Sequence, residues 1–300
     1  MNESMVPDSE HTGLVARLPR RLRDLALLAR FDRPIGWWLL FWPCAWGVWL
    51  TGAGLRWELI AWFLLGSIAM RGAGCVYNDL ADAELDRQVA RTASRPVSSG
   101  RISRRLAWAW LMILCLAGLV VLLQLPQHAQ IVALASLALV AAYPFMKRIS
   151  WWPQAWLGLV FSWGLPVGWL ALRTDHLDVL AAMYAGSICW VIGYDTIYAL
   201  QDREDDALVG IRSSALRMGR HVRAGVAMFY AAAIVLWGLA FWLLRQDAIA
   251  LIGLVPAAFH LGWQVATLVP DDGGNALARF RSNRFAGLLV ALACFVAGNA

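Results

Sequence analysis

The sequence predicts an all-α protein that crosses a membrane many times, and three observations carry that prediction. Hydrophobic residues make up 60% of the 300 positions. Charged residues make up 15%, where soluble domains carry roughly a quarter. The apolar residues also gather into runs close to the ~20 residues that a ~30 Å hydrocarbon core requires. A backbone in lipid must satisfy its own hydrogen bonds, so runs of this length read as helices.

Nine such runs follow one another, at residues 35–55, 59–77, 106–124, 129–146, 151–172, 179–194, 224–244, 248–269 and 285–300. About nine transmembrane helices are therefore expected, in one membrane domain over residues 34–300. Residues 1–33 form a separate interfacial segment. Within it, residues 14–31 interleave apolar side chains with Arg17, Arg20, Arg21, Arg23 and Arg30, the pattern of a helix lying on headgroups. The segment lacks the apolar core of a signal peptide, and Glu3, Asp8, Glu10 and Asp24 do not suit a transit peptide.

The basic residues orient the bundle. With the N-terminus in the cytoplasm, 22 of the 26 Lys and Arg fall on the cytoplasmic side, against Arg56, Arg173 and Arg245 outside and Arg71 within a run. That is the positive-inside bias. It accounts for the net charge of +6, so the expected partner is a lipid bilayer with anionic headgroups and not nucleic acid. Trp37, Trp38, Trp151 and Trp152 stand at run ends, as interfacial anchors do. Cys44, Cys75, Cys115, Cys189 and Cys294 lie in or beside runs with no CxxC spacing, which suits small core residues rather than a zinc site or disulfides. His260, the one histidine inside a run, is expected to pack rather than ligate. No Walker loop, no GxGxxG opening a helix and no Ser/His/Asp signature occurs, which removes nucleotide-binding and serine-hydrolase chemistry.

Two acidic clusters close the second and sixth runs. The first is Asn78, Asp79, Asp82, Glu84 and Asp86, and the second is Asp195, Asp202, Glu204, Asp205 and Asp206; together they hold nine of the twenty acidic residues. An unpaired carboxylate at the end of an apolar segment costs several kcal/mol, so these groups are expected to be ligands. Both even-numbered run ends emerge on the cytoplasmic face. In helical geometry Asp79, Asp82 and Asp86 share one stripe, as do Asp195, Asp202 and Asp206. Two carboxylates ~4 Å apart repel by up to ~4 kcal/mol at an intermediate dielectric unless a cation lies between them. All-oxygen ligands without Cys or His select magnesium or calcium, and magnesium completes its shell with water and substrate phosphate. A diphosphate substrate is implied. Arg87, Arg91, Arg95 and Arg101 follow the first cluster, Lys147 and Arg148 end the fourth run and Arg212 follows the second cluster, so guanidinium and ammonium groups flank the carboxylates. Lys147 is the only lysine of the chain, and a compact ammonium suits a phosphate.

The stretch from Asn78 to Asp86, with Arg91-Thr92-Ala93-Ser94-Arg95-Pro96 after it, resembles the NDxxDxxxD signature and RTxxRP tail of the intramembrane aromatic prenyltransferases. Arg33-Pro34-Ile35-Gly36, Tyr143-Pro144-Phe145-Met146-Lys147-Arg148 and the stretch from Tyr194 to Asp206 extend the resemblance in order along most of the chain. It is similar above all to the branch that acts on 4-hydroxybenzoate in ubiquinone biosynthesis. Glu204 stands where that branch often carries Asp, and the carboxylate is kept. The resemblance implies a nine-helix bundle around a central cavity with a cytoplasmic cap. It implies Mg2+ held by Asp79, Asp82 and Asp86 on one side and Asp202, Asp205 and Asp206 on the other, with Asp82, Asp195 and Asp202 as catalytic acids. Arg91, Arg95, Lys147 and Arg148 then hold the diphosphate, Arg71 and Asn78 bind the aromatic acid, and Tyr143, Tyr194 or Tyr198 shelter a carbocation. The implied substrates are a polyprenyl diphosphate and 4-hydroxybenzoate, in a bacterial inner membrane with the N-terminus and the site loops cytoplasmic.

Two other readings stand beside this one. The same fold can act on homogentisate, a naphthoate or a porphyrin-type acceptor. An ion-coupled transporter would place its charges near the midplane, whereas these acids cluster at one interface.

Overall fold

The computed structural model describes residues 14–87, 90–203, 210 and 212–300; the side chains of Leu85, Ala90, Arg91, Lys147, Arg148 and Asp202 lie outside the described set. Among the described residues every regular element is helical. Seven helices are long and apolar enough to cross a membrane. They include α3 (Trp57–Ala81), α6 (Arg104–Leu122), α7 (Gln127–Ile149), α10 (Leu177–Ala199) and α15 (Gly273–Asn299). The chain is thus a multi-pass membrane protein, as expected, while two of the nine expected runs form shorter helices than the rest.

Both differences have local causes. The first run becomes α2 (Ile35–Leu50), only 16 residues long, because Gly52 and Gly54 take φ of +77° and +78° just beyond it and turn the backbone out of the helix. The fifth run is split at Trp163 into α8 (Pro153–Ser162) and α9 (Gly164–Leu170). Pro166 lies in the first turn of α9 and cannot donate to the carbonyl four residues back, so one long helix is interrupted.

Two compact units are distinguished, one of Met1–Trp38 with Trp62–Gln124, the other of Leu39–Ala61 with Leu125–Ala300. In the first, α1 (Arg20–Leu28) packs onto α3 and α6 through Leu28, Val76, Leu80, Ala107, Leu111 and Leu114. Trp110 Nε1 donates to Leu25 O at 3.1 Å, and Arg101 pairs with the buried Asp24 at 3.0 Å. The amphipathic N-terminal helix therefore packs one face, with Asp24, Ala26 and Leu28, into this unit, while Leu22 stays exposed.

In the second unit α10 is the central helix. It lies between α8, α12 (Val222–Arg245) and α15. Trp46, Trp190 and Trp237 are fully buried, with ring centroids 5.1–6.2 Å apart. The part of α2 from Leu39 onward runs against α9 at backbone contact: a Cβ on Gly47 would meet Leu165 O and one on Gly168 would meet Cys44 O. Small residues at such crossings are how helices in lipid gain packing energy. A buried polar network ties four helices together. Trp190 Nε1 donates to Asn283 Oδ1 at 2.9 Å, Asn283 Nδ2 to Gln264 Oε1 at 3.2 Å and Tyr230 OH to the same oxygen at 2.8 Å. Gln264 comes from α14 (Val255–Thr267). His260 packs beside it on the same helix, 3.2 Å from Ser282 O.

Candidate active site

The first acidic cluster is assembled where α3 ends. Asp82 N donates to Asn78 O and Asp86 N to Asp82 O, both at 2.9 Å. Helical geometry therefore runs from α3 through the bend at Asp82 into α4 (Ala83–Asp86), and the expected stripe is present. Asp79 and Asp82 are each 1% exposed and Asp86 6%. Glu84, also of this cluster, points the other way; it is exposed and pairs with Arg87 at 3.0 Å.

Arginines pair with two of the buried carboxylates, Asp79 and Asp86. Arg95 Nη1 donates to Asp86 Oδ2 at 2.7 Å and to Asp79 Oδ1 at 3.3 Å. Thr92 Oγ1 donates to Asp86 O at 2.9 Å and fixes the returning chain against α4. Of the arginines expected to flank the cluster, Arg95 reaches the buried Asp79 and Asp86, Arg87 pairs with the exposed Glu84, Arg101 turns to Asp24, and the Arg91 side chain lies outside the described residues.

A guanidinium that the sequence reading did not single out completes this arrangement. Arg30 Nη2 donates to both oxygens of Asp79, at 2.8 and 2.9 Å. Burial is the largest single influence and would lower the pKa of Arg30, but the charge and hydrogen bond of Asp79 together with the charges of Cys75 and Asp32 outweigh it and the pKa is raised, so the group stays cationic. The only sequence signal is its place directly after the apolar stretch 25–29, outside the alternation of the preceding arginines. Asp79, Asp82 and Asp86 against Arg30 and Arg95 leave one negative charge among these five groups.

Arg71 and Asn78 lie on α3, seven residues apart and partly exposed. Arg71 Nη1 donates to Cys75 Sγ at 2.7 Å. The guanidinium lies directly over Gly36, where a Cβ would fall 2.6 Å from Arg71 Nε. Gly36 and Cys75 are thus neighbours of the expected acceptor arginine that composition alone could not have marked.

In the second unit, α10 ends in the second cluster. From Trp190 to Leu200 only Asp195 and Tyr198 escape burial, one turn apart on one face. Tyr198 packs on Phe280 with centroids 4.6 Å apart, and Tyr194 is buried between Trp190 and Phe280. Tyr143 is partly exposed on α7. Asp202 lies in a 3-10 turn, Leu200–Asp202, with its side chain outside the described residues; Glu204, Asp205 and Asp206 lie outside them altogether, as do the side chains of Lys147 and Arg148. Arg212 caps α7 by donating to Ile149 O at 2.8 Å.

The donors suit a hard cation. Asp82 and Asp86 offer buried oxygen ligands on one stripe without Cys or His. Among the described residues no three His, Cys, Asp or Glu side chains close on one point, so the described carboxylates do not by themselves make up a full coordination shell.

A membrane-embedded all-α chain that closes an apolar helix with paired carboxylates and arginines defines a class of intramembrane transferases. The chain matches the model of the UbiA prenyltransferase family over residues 40–295, and it belongs to that family. It is 38% identical over 277 residues to the mitochondrial 4-hydroxybenzoate polyprenyltransferase of Arabidopsis thaliana, covering 91% of this chain and 68% of that one. Among solved structures it is similar to a UbiA homolog from Aeropyrum pernix K1 in its apo form, with a TM-score of 0.71, 25% identity and coverage of 86% and 97%. It shares the fold of a UbiA homolog from Archaeoglobus fulgidus bound to GPP and Mg2+, with a TM-score of 0.65, 17% identity and coverage of 92% and 100%.

Proposed function

We propose that this protein transfers a polyprenyl group from a polyprenyl diphosphate to the 3-position of 4-hydroxybenzoate, as a step of ubiquinone biosynthesis. The observation that carries the reading is the buried stripe of Asp79, Asp82 and Asp86 with Arg95 hydrogen-bonded across it. The name of the Arabidopsis relative and the GPP and Mg2+ bound to the archaeal homolog support it. Magnesium is assigned to Asp82 and Asp86 of the first cluster and to Asp202, Asp205 and Asp206 of the second; the sequence pattern adds Asp79, whose oxygens both accept from guanidinium. When bound, magnesium supplies positive charge that offsets the charge developing on the departing diphosphate.

The protein's own residues do the rest. Arg91, Arg95, Lys147 and Arg148 bind the diphosphate oxygens. Arg71 and Asn78 hold the carboxylate of the aromatic acid and orient the ring carbon ortho to the hydroxyl. The allylic C–O bond breaks, the ring carbon forms the new C–C bond, and the ring proton leaves to Asp195. Tyr143 and Tyr198 shelter the cationic carbon with their ring faces, and the apolar surroundings keep water from it. The location assigned is a bacterial inner membrane, with the N-terminus and the site loops cytoplasmic, on the charge bias of the loops.

The test is an in vitro reaction with one prenyl diphosphate, Mg2+ and a panel of acceptors. Prenylated 4-hydroxybenzoate as the dominant product is expected. Preferential prenylation of homogentisate or a naphthoate would move the acceptor assignment, and no transfer to any acceptor would overturn the reading.

A further inference from the structure

Asp79 stands in the sequence pattern of a metal ligand, yet its surroundings are those of an anchor. Its Oδ1 accepts from Arg30 Nη2 at 2.8 Å and from Arg95 Nη1 at 3.3 Å, and its Oδ2 accepts from Arg30 Nη2 at 2.9 Å. The same Arg95 Nη1 donates to Asp86 Oδ2 at 2.7 Å. A continuous line of part-buried contacts therefore runs from Arg30 through Asp79 and Arg95 to Asp86. The Arg30 and Arg95 side chains retain 12% and 18% exposure.

Arg30 is itself held in place. It occupies the left-handed region at φ 58°, where a side chain other than glycine is strained and persists only when the surroundings fix it. Arg30 N donates to Leu27 O and Phe31 N to Ala26 O, the paired bonds of a Schellman closure of α1. Its Nη1 donates to Leu27 O at 2.9 Å and Leu28 O at 3.4 Å. The guanidinium is thus tied to the helix it terminates as well as to Asp79. A dication seated on Asp79 would lie against two guanidinium charges.

We propose that Asp79 is a positioning residue rather than a magnesium ligand, and that Arg30, Asp79 and Arg95 form a clamp that aims Asp86 at the metal. Groups that orient a metal ligand from behind commonly govern metal affinity. The N-terminal helix thereby becomes part of the catalytic apparatus through Arg30. This inference rests on the magnesium reading of the first cluster.

The test uses the full-length protein in detergent micelles, with Mn2+ as the probe, followed by electron paramagnetic resonance with and without inorganic pyrophosphate. Arg30→Gln and Asp79→Asn should each weaken Mn2+ binding by about 10-fold. The double variant should be no more than about twofold weaker than either single one, since both changes cut the same line. Tighter or unchanged Mn2+ binding by Arg30→Gln would show Arg30 to be a competitor or a bystander, and would overturn the clamp while leaving the metal reading intact. Loss of all binding in Asp79→Asn, with Arg30→Gln unaffected, would make Asp79 a ligand. Wild-type protein that binds no Mn2+ would refute the magnesium reading and the clamp with it. Should Arg30→Gln not fold, Arg30→Lys keeps the charge, loses the two-point contact and carries the same expectation.

Discussion

Gly36→Ala probes the acceptor site without replacing any charged group. A Cβ at this position would lie 2.6 Å from Arg71 Nε, where ordinary contact begins at 3.4 Å. The guanidinium must retreat by the difference, about 0.8 Å, and its 2.7 Å bond to Cys75 Sγ moves with it. A hydrogen bond between charged groups contributes ~1.5–3 kcal/mol net, and a displacement of about 1 Å forfeits most of it. At tenfold per ~1.4 kcal/mol, the KM for 4-hydroxybenzoate should rise about 10- to 100-fold. The KM for the prenyl diphosphate should stay within about twofold, because the three atoms nearest to that Cβ all belong to Arg71. Stability should not fall in step: alanine in the first turn of α2 is favoured over glycine by up to ~1 kcal/mol. The assay is steady-state kinetics with each substrate varied in turn, together with an apparent Tm in detergent. An unchanged KM for 4-hydroxybenzoate, or equal rises for both substrates, would refute the assignment of Arg71 to the acceptor.

Asp82→Asn and Asp202→Asn should each abolish turnover while the protein still inserts and folds, since losing one repelling carboxylate does not open the core; near-normal turnover of either at saturating Mg2+ would break the two-cluster assignment. EDTA should silence the enzyme and Mg2+ should restore it, whereas rescue by Zn2+ alone would contradict the hard-oxygen ligand set. Arg71→Ala should raise the KM for 4-hydroxybenzoate far more than that for prenyl diphosphate, and an acceptor lacking the carboxylate should be indifferent to the change. Asn283→Ala removes the acceptor of Trp190 Nε1 and a donor to Gln264 in the core; a loss of about 1–3 kcal/mol is expected, read as a fall in apparent Tm.

Much of this protein is written in local chemistry. Membrane-length apolar runs demand helices because lipid offers the backbone no partner, and the acid stripe at Asp79, Asp82 and Asp86 follows from helical spacing, which the backbone bonds at Asp82 and Asp86 then display. Composition and spacing could therefore set the class of fold, the hard-cation character of the first cluster and the family motifs. Other features depend on which distant groups meet. Arg30 and Asp79 are 49 residues apart, and nothing in the spacing of either marks it for the other. Asp24 and Arg101, 77 residues apart, join the N-terminal helix to the loop beyond the first cluster in the same way. Pro166 breaks the fifth run, a local signal that the run's hydrophobicity outweighed in a reading by composition. The room that Gly36 leaves for Arg71 exists only because α2 and α3 pass close together there. Periodicity and solvent preference determine which elements form and which faces are polar, because both act within a few residues. Which guanidinium neutralises which buried carboxylate is decided by packing, because a charge taken out of water must find its partner wherever the fold brings one.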